Sequence, residues 1–581
     1  MNQPEFPDLL ALLNKHAAER PDVIAVVDGA REVNYSQFVA DIDRVARRLD
    51  TSKLVPGNRA ILFFSSPYLH WLATLALMRL GVITISMSDL SRQDTLQMLG
   101  AHVLVTERGS LKAEGGNMIA MGEDWLTDSA GSLPALPPRV FDPTQPVRII
   151  LSSGTTGLSK KILYDNTTVG ARIFYATKDY GFSSQHRFMS GVGIDTTGGY
   201  VFSISTWANG GCVACFDATR PLGSQLEQSR ANLLFMSPVQ AANMVESLPE
   251  HFLPSGRTLI VAGGRLPQAV AERVRQKLAS TIWIVYGSTE AGSVARTFKP
   301  DYARPEAVGT LVTSAQVQIV DADGLPVPHG SVGEVRTRGP CSVDRYLDDP
   351  ETTRAFFRDG WFYPGDLGTL SAANELCIVG RVGDLMNLGG VKVTPGAIED
   401  ALAGCPGVKD LAAFSVPDEL GVESLWIAVT TGEGFSEDAL RQRYVQRFPN
   451  RLEPSIALVE SIPRNAMSKV QRNQLRETVV QQILAQQSKG PAGGPAVLFG
   501  FRELGTGSAD TGATANQENK VAIVKINDKE YDFDKLPDEV KAQLASVQFI
   551  DAELHRMNLH RAALQTARGA YMKSVGELLN K

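Results

Sequence analysis

The chain holds 581 residues with a formal charge of -6 and 43% hydrophobic residues. That length exceeds one ordinary domain and predicts about two to four folding units with ample core. The acidic balance argues against a nucleic-acid partner, and five cysteines, an odd count, fit a reducing cytoplasm better than a disulfide framework.

Taken in chain order, Met1 to Leu10 is acidic and proline-containing, which is wrong for a signal peptide. Trp71 to Ile85 is the most apolar stretch, but Arg79 and Gly81 interrupt it and it is too short for a membrane span. It predicts a helix followed by a strand entered through Gly81. To about residue 380, short β-branched runs alternate with longer helical patterns. Examples are Arg59 to Phe64, Val103 to Thr106, Arg148 to Leu151 and Thr258 to Val261. Continuous apolar strands separated by helices predict sheets covered on both faces, an α/β layered architecture. Cys212 and Cys215 form a CxxC without the second pair a zinc site needs, so their run predicts a buried strand.

The texture changes further on. Ala315 to Val320, a turn at Asp323-Gly324 and Gly333 to Thr337 predict a β-rich pair. The organisation expected is a large N-terminal domain over 1–383 and a small α+β domain over 384–485. A Gly/Ala/Ser/Thr-rich linker follows over 486–519 and an accessory module over 520–581. In that module, Ala522 to Phe533 predicts a hairpin about Asn527-Asp528. Val547, Ile550, Leu554, Met557, Leu564, Tyr571, Val575 and Leu578 then mark a helical stripe that needs a partner surface, supplied by a helical hairpin, a partner protein or another copy.

The most informative segment is Ser152-Ser153-Gly154-Thr155-Thr156-Gly157-Leu158-Ser159-Lys160-Lys161, fed by an apolar strand. Glycines let backbone N–H groups wrap anionic oxygens, hydroxyls donate and lysine neutralises. The GxxxxGK[ST] spacing of common NTPases fails, because Lys160 lies three residues beyond Gly157. A Ser/Thr/Gly surface turn is the plain alternative.

This loop resembles the signature loop of the adenylate-forming superfamily, which holds acyl-CoA synthetases, nonribosomal peptide synthetase adenylation domains and luciferases. Four further segments resemble that superfamily's motifs in the required order: Tyr286-Gly287-Ser288-Thr289-Glu290, Gly360 to Asp366, Gly380 to Asp384, and Pro463 to Lys469. The likeness covers about residues 1 to 485. It implies an AMP-forming enzyme using ATP and Mg²⁺ to activate a small carboxylic acid for transfer to coenzyme A or to phosphopantetheine on a carrier protein.

The resemblance also implies roles. Ser152, Ser153, Gly154, Thr155, Thr156, Gly157 and Lys160 hold the outer phosphates. Thr289 meets the α-phosphate, and Glu290 serves as metal ligand. Gly263, Gly264 and Tyr286 line the adenine slot, Gly287 and Ser288 also belong to the ATP site, Asp366 accepts from the ribose hydroxyls, and Arg381 supports ribose or phosphate. Lys469 is the catalytic ammonium, and Asp384 the hinge about which the small domain turns. Ser159, Lys161, Ser468 and Asn387 depart from the usual Pro, Gly, Gly and Lys beside these residues. Asp195, in Ser190 to Tyr200, is similar to the aspartate with which amino-acid-activating members pair an α-ammonium. A carboxylate capping a nearby turn is the other reading. A catalytically quiet scaffold with an interaction tail is the alternative to the whole.

Overall fold

The computed structural model describes residues 6–88, 90, 95–108, 118–127, 133–152, 160–384, 386–388, 391–417, 423–448, 453–464, 470–487, 523–526 and 529–532. Ser153, Gly154, Thr155, Thr156, Gly157, Lys469 and the tail's helical stripe therefore lie outside the described residues. The chain divides into two compact units, Met1–Phe499 and Gly500–Lys581. In the second, Ile523–Ile526 pairs antiparallel with Lys529–Asp532.

Two large sheets organise the first unit. One has six strands in the order Met118–Met121, Val103–Glu107, Arg59–Phe63, Ile83–Ser86, Pro146–Ser152 and Lys160–Asp165. All neighbours are parallel except the last pair. The other sheet runs parallel from Ile24–Asp28 through Cys212–Ala214, Arg187–Ser190, Leu233–Met236 and Thr258–Ala262 to Thr281–Ser288. It continues as antiparallel strands through Gly292–Thr297, Ala307–Leu311, Glu375–Arg381, Asp366–Leu370 and Gly333–Arg338. Gln316–Val320 pairs with Gly333–Arg338, the β-rich pair read from the sequence. Leu62 and Val105 of the first sheet share one core with Phe188, Leu233 and Ile260 of the second. Pro67–Arg79 lies in that core and buries every residue from Tyr68 to Met78, which explains its apolar character on all sides.

A third sheet pairs Val408–Pro417 with Glu423–Thr431 and adds Ser455–Leu458 parallel. One of its faces packs on Ile398, Leu402 and Tyr444, the other on Leu475 and Val479. Of the CxxC segment, Cys212–Ala214 forms the expected buried strand, and Cys215 follows it half-buried. Among the described residues no helix is long and apolar enough to cross a membrane.

Candidate active site

The parallel strands end on one edge of their sheets, where open α/β sheets place ligands. Ser152 closes its strand opposite Lys160 in the antiparallel register, so the glycine–hydroxyl segment joins two paired strands. Among the described residues the buried Ser152 hydroxyl has no hydrogen-bond partner. Lys160 Nζ sits 3.4 Å over the Phe356 ring and donates to Tyr346 Oη at 3.4 Å. Tyr346 Oη in turn donates to Glu290 Oε1 at 2.8 Å. Glu290 is only 8% exposed. Burial lowers the Lys160 pKa, with Glu290 pulling it back up and Arg381 adding to the lowering. The same burial, with the Glu290 charge, raises Tyr346 and keeps it a hydroxyl donor. Lys161, standing where the resembling family has glycine, is tied instead to Asp348 at 3.0 Å.

Tyr286 Oη donates to Asp366 Oδ2 at 2.5 Å, and Arg381 Nε approaches Asp366 Oδ1 at 3.1 Å. The register that sets Asp366 opposite Arg381 makes this meeting a property of the sheet. Gly263 follows the strand Thr258–Ala262 with φ 91°, a conformation that favours glycine. The pairing of Ala262 with Val285 brings that strand end level with Tyr286. Gly287 has no room for a side chain, because a Cβ there would lie 2.2 Å from the Gly292 carbonyl oxygen. The tight return this allows carries Ser288, Thr289 and Glu290, with Ser288 Oγ accepting from Ala291 N at 3.1 Å.

Sequence reasoning missed what holds that return in place. Arg172 is buried, and its Nη2 donates to the carbonyls of Thr289 at 2.8 Å, Glu290 at 3.3 Å and Cys341 at 2.9 Å. Tyr164 Oη donates to the Thr289 carbonyl at 2.7 Å and meets Thr197 Oγ1 at 3.0 Å. Thr197 begins the helix Thr197–Ala208, whose cap is Thr196. Asp195 immediately precedes that cap. It is half-buried, and its carboxylate bends back so that a Cβ on Gly193 would lie 2.2 Å from Oδ1.

The structure thus brings Lys160 and Glu290 together through Tyr346, and Tyr286 and Arg381 together on Asp366, with the Arg381 charge felt at Lys160. Asp384 ends the turn Val382–Asp384 directly after Arg381. The segment carrying Lys469 is flanked by an antiparallel bridge between Arg464 and Val470. Among the described residues there is no cluster of three or more acidic, His or Cys groups able to hold a metal. One buried hard carboxylate, Glu290, fits a Mg²⁺ ion that shares its coordination with a nucleotide's phosphates.

The chain is 28% identical over 525 residues to a salicylyl-CoA synthase / salicylate adenylyltransferase of Streptomyces, covering 80% of this chain and 93% of that protein. It is 25% identical over 516 residues to an indoleacetate–CoA ligase of Aromatoleum aromaticum, covering 83% of this chain and all of the other. Among solved structures, ATP-bound MatB of Rhodopseudomonas palustris superposes with a TM-score of 0.73 at 23% identity, over 82% of this chain and 99% of that one, a likeness of fold. Residues 13–347, more than half of the chain, match the model of the AMP-binding enzymes, and the protein belongs to that family.

Proposed function

We propose that the protein is an ATP-dependent, AMP-forming ligase that activates a small carboxylic acid and passes it to a pantetheine thiol. The observation that carries this reading is two bonded sets at the strand ends, Lys160–Tyr346–Glu290 and Tyr286–Asp366–Arg381. Two cations, one buried carboxylate and one ribose-type acceptor match the parts of a nucleoside triphosphate. The acid's carboxylate attacks the α-phosphorus, the bond to pyrophosphate breaks, and an acyl-adenylate results. The thiol then attacks the acyl carbon and AMP leaves.

In this reading Ser152, the loop to Gly157, and Lys160 draw charge from the outer phosphates, and Thr289 meets the α-phosphate. Magnesium, when bound with the nucleotide, screens phosphate charge, and Glu290 offers it a hard oxygen. Asp366 exchanges its bonds to Tyr286 and Arg381 for ribose hydroxyls, and Gly263, Gly264, Gly287 and Ser288 leave room for the base. Lys469 bridges the two reacting anions, and residues 384–485 turn about Asp384 to admit the thiol. The CoA-ligase relatives favour coenzyme A as acceptor. The tail beyond residue 486 recruits a partner or a second copy. Five free cysteines, Cys212 and Cys341 among the buried ones, favour a reducing cytoplasm.

ATP–pyrophosphate exchange across a panel of acids, with and without CoA, tests the proposal. Exchange with at least one acid, and AMP release when CoA is added, is the expected result. Exchange with none, in folded protein supplied with magnesium, overturns it.

A further inference from the structure

Lys160 and Lys161 open the strand Lys160–Asp165, which lies at the edge of its six-stranded sheet. Successive side chains of a strand point to opposite faces. Lys160 shares the face of Ile162, in the core that also holds Tyr346, and Lys161 shares the face of Leu163, on the cluster of Ile61, Ile85 and Ile149. The segment from Tyr346 to Asp348 wraps this edge. On the first face Lys160 Nζ donates to Tyr346 Oη at 3.4 Å. At the edge itself Leu347 N donates to the Lys161 carbonyl at 2.8 Å, and the Leu347 side chain packs against the second cluster. On the second face Asp348 Oδ2 accepts from Lys161 Nζ at 3.0 Å and from Arg59 Nη1 at 3.2 Å. Arg59 comes from an inner strand of the same sheet and is steadied by the Leu99 carbonyl at 3.0 Å.

Asp348 holds φ 58°, the left-handed region that few non-glycine residues adopt. Such a conformation persists where its surroundings over-determine it, and two cations and the Leu347 bond do so here. Asp349, next in the chain, accepts from Thr352 N at 3.0 Å and caps the helix Pro350–Phe356, whose last residue seats Lys160 Nζ. Asp348 therefore stands between Tyr346 and Phe356, the two rings against which Lys160 rests. The hydrogen bond from Lys161, with the Lys161 and Arg59 charges behind it and burial opposing, holds the Asp348 carboxyl below the ordinary carboxylate value. Lys161 stands where the resembling superfamily has glycine, so this bond comes with the departure.

We propose that Asp348 is a positioning residue for ATP: bonded to Lys161 on the far face of the edge strand, it holds the Tyr346–Phe356 segment against Lys160 and so sets the spacing of Lys160 from Glu290. The proposal rests on the ATP-using reading above and adds to it a residue that acts through Lys160. Without the carboxylate the segment is free to lift from the strand. The Tyr346 hydroxyl then leaves the lysine or the glutamate, and the groups that meet phosphate and magnesium lose their fixed separation. An ion pair with a half-exposed carboxylate adds little to the stability of the whole fold. Its loss is read in nucleotide binding rather than in the unfolding midpoint.

The test is ATP–pyrophosphate exchange, with the KM for MgATP and for the acid measured separately, beside calorimetric MgATP binding and the unfolding midpoint. Asp348→Asn and Asp348→Gly both remove the carboxylate while accepting the left-handed backbone, so neither strains the turn. In both, the KM and Kd for MgATP are expected to rise about threefold, with the acid's KM and the midpoint at their wild-type values. Lys161→Met is expected to raise the same constants in the otherwise wild-type chain and to add nothing in Asp348→Asn, because the two changes remove one bond. Unchanged MgATP constants in the two Asp348 variants, with wild type exchanging, overturn this inference and leave acid activation standing. So do MgATP and acid constants that rise together with a lower midpoint, the mark of a purely structural pair. Wild type that binds MgATP but exchanges with no acid overturns acid activation, and the variants' binding constants still decide this inference. Wild type that binds no MgATP overturns both.

Discussion

Tyr346 Oη donates to Glu290 Oε1 at 2.8 Å while Lys160 Nζ reaches the same hydroxyl at 3.4 Å, so one phenol joins the proposed metal ligand to the proposed phosphate lysine. The ring of Phe356 completes the lysine's seat at 3.4 Å. Tyr346→Phe keeps the ring and removes the joint. A buried carboxylate that loses one charge-assisted hydrogen bond is destabilised by about 1–3 kcal/mol. Pyrophosphate exchange should fall by about tenfold, and its magnesium dependence should move to higher concentration. A variant with wild-type rate and magnesium midpoint would show that the phenol is incidental.

Lys160 supplies a pH dependence. Burial, the largest influence, holds its pKa below the ordinary 10.5, with Glu290 opposing and Arg381 reinforcing. The ammonium that grips phosphate is present below that lowered value and lost as pH climbs through it. The folded value lies below the unfolded one, so the charged lysine is a strain on the fold at neutral pH that eases as pH rises. The KM for ATP should therefore rise on the alkaline side before an ordinary lysine would titrate. Lys160→Arg, with a guanidinium that stays charged, should move that limb upward. Coincident alkaline limbs in the two proteins would remove Lys160 as the titrating group.

Arg172 makes a prediction about rigidity. Its guanidinium satisfies carbonyls of Thr289, Glu290 and Cys341, and Tyr164 adds a second donor to Thr289. Arg172→Met takes from the Cys341 carbonyl both of its described donors, while Thr289 keeps Tyr164 and Glu290 keeps the Val343 N–H, a loss of about 1–3 kcal/mol for the one group so stranded. Both the midpoint of thermal unfolding and the exchange rate should drop, with the KM for ATP rising because the return through Thr289 and Glu290 is held less firmly. Unfolding at the wild-type temperature would show that water replaces the clamp without loss.

These three residues differ in how far the sequence revealed them. The strands around Ile61, Ile149 and Ile260 were legible because strands buried on both faces must be continuously apolar. Gly287 and Lys160 stood out because they lie in segments that resemble the superfamily's motifs, and the structure adds that Gly287 makes a tight return and Lys160 pairs opposite Ser152. Tyr346 was not, since its partner Glu290 is 56 residues away and nothing local marks the pairing. Arg172 lies 117 residues from the Thr289 carbonyl it holds, and an arginine bonded to backbone leaves no pattern in its partners' identities. Arg148 did leave a signal, a charge inside an apolar strand. Its guanidinium donates to the Ile194 carbonyl, 46 residues further on, a partner that nothing in the sequence marks.

Lys469 carries the last prediction. The bridge between Arg464 and Val470, with Gln471 N donating to the Pro463 carbonyl at 2.8 Å, fixes both ends of its segment to the small sheet's domain. Arg464 is itself anchored, its guanidinium paired with Asp410 at 2.8 Å. If Lys469 acts only where charge builds between the attacking carboxylate and the α-phosphorus, its contribution belongs to the first half-reaction. Lys469→Ala should lower acyl-adenylate formation by ~10²–10³, the usual loss for one electrostatic stabiliser. Thioester formation from acyl-adenylate supplied ready-made, followed as AMP release with CoA, should change far less, because that step displaces AMP and needs no second anion held at phosphorus. Equal losses in both half-reactions would place the lysine in the fold of the small domain rather than in the chemistry.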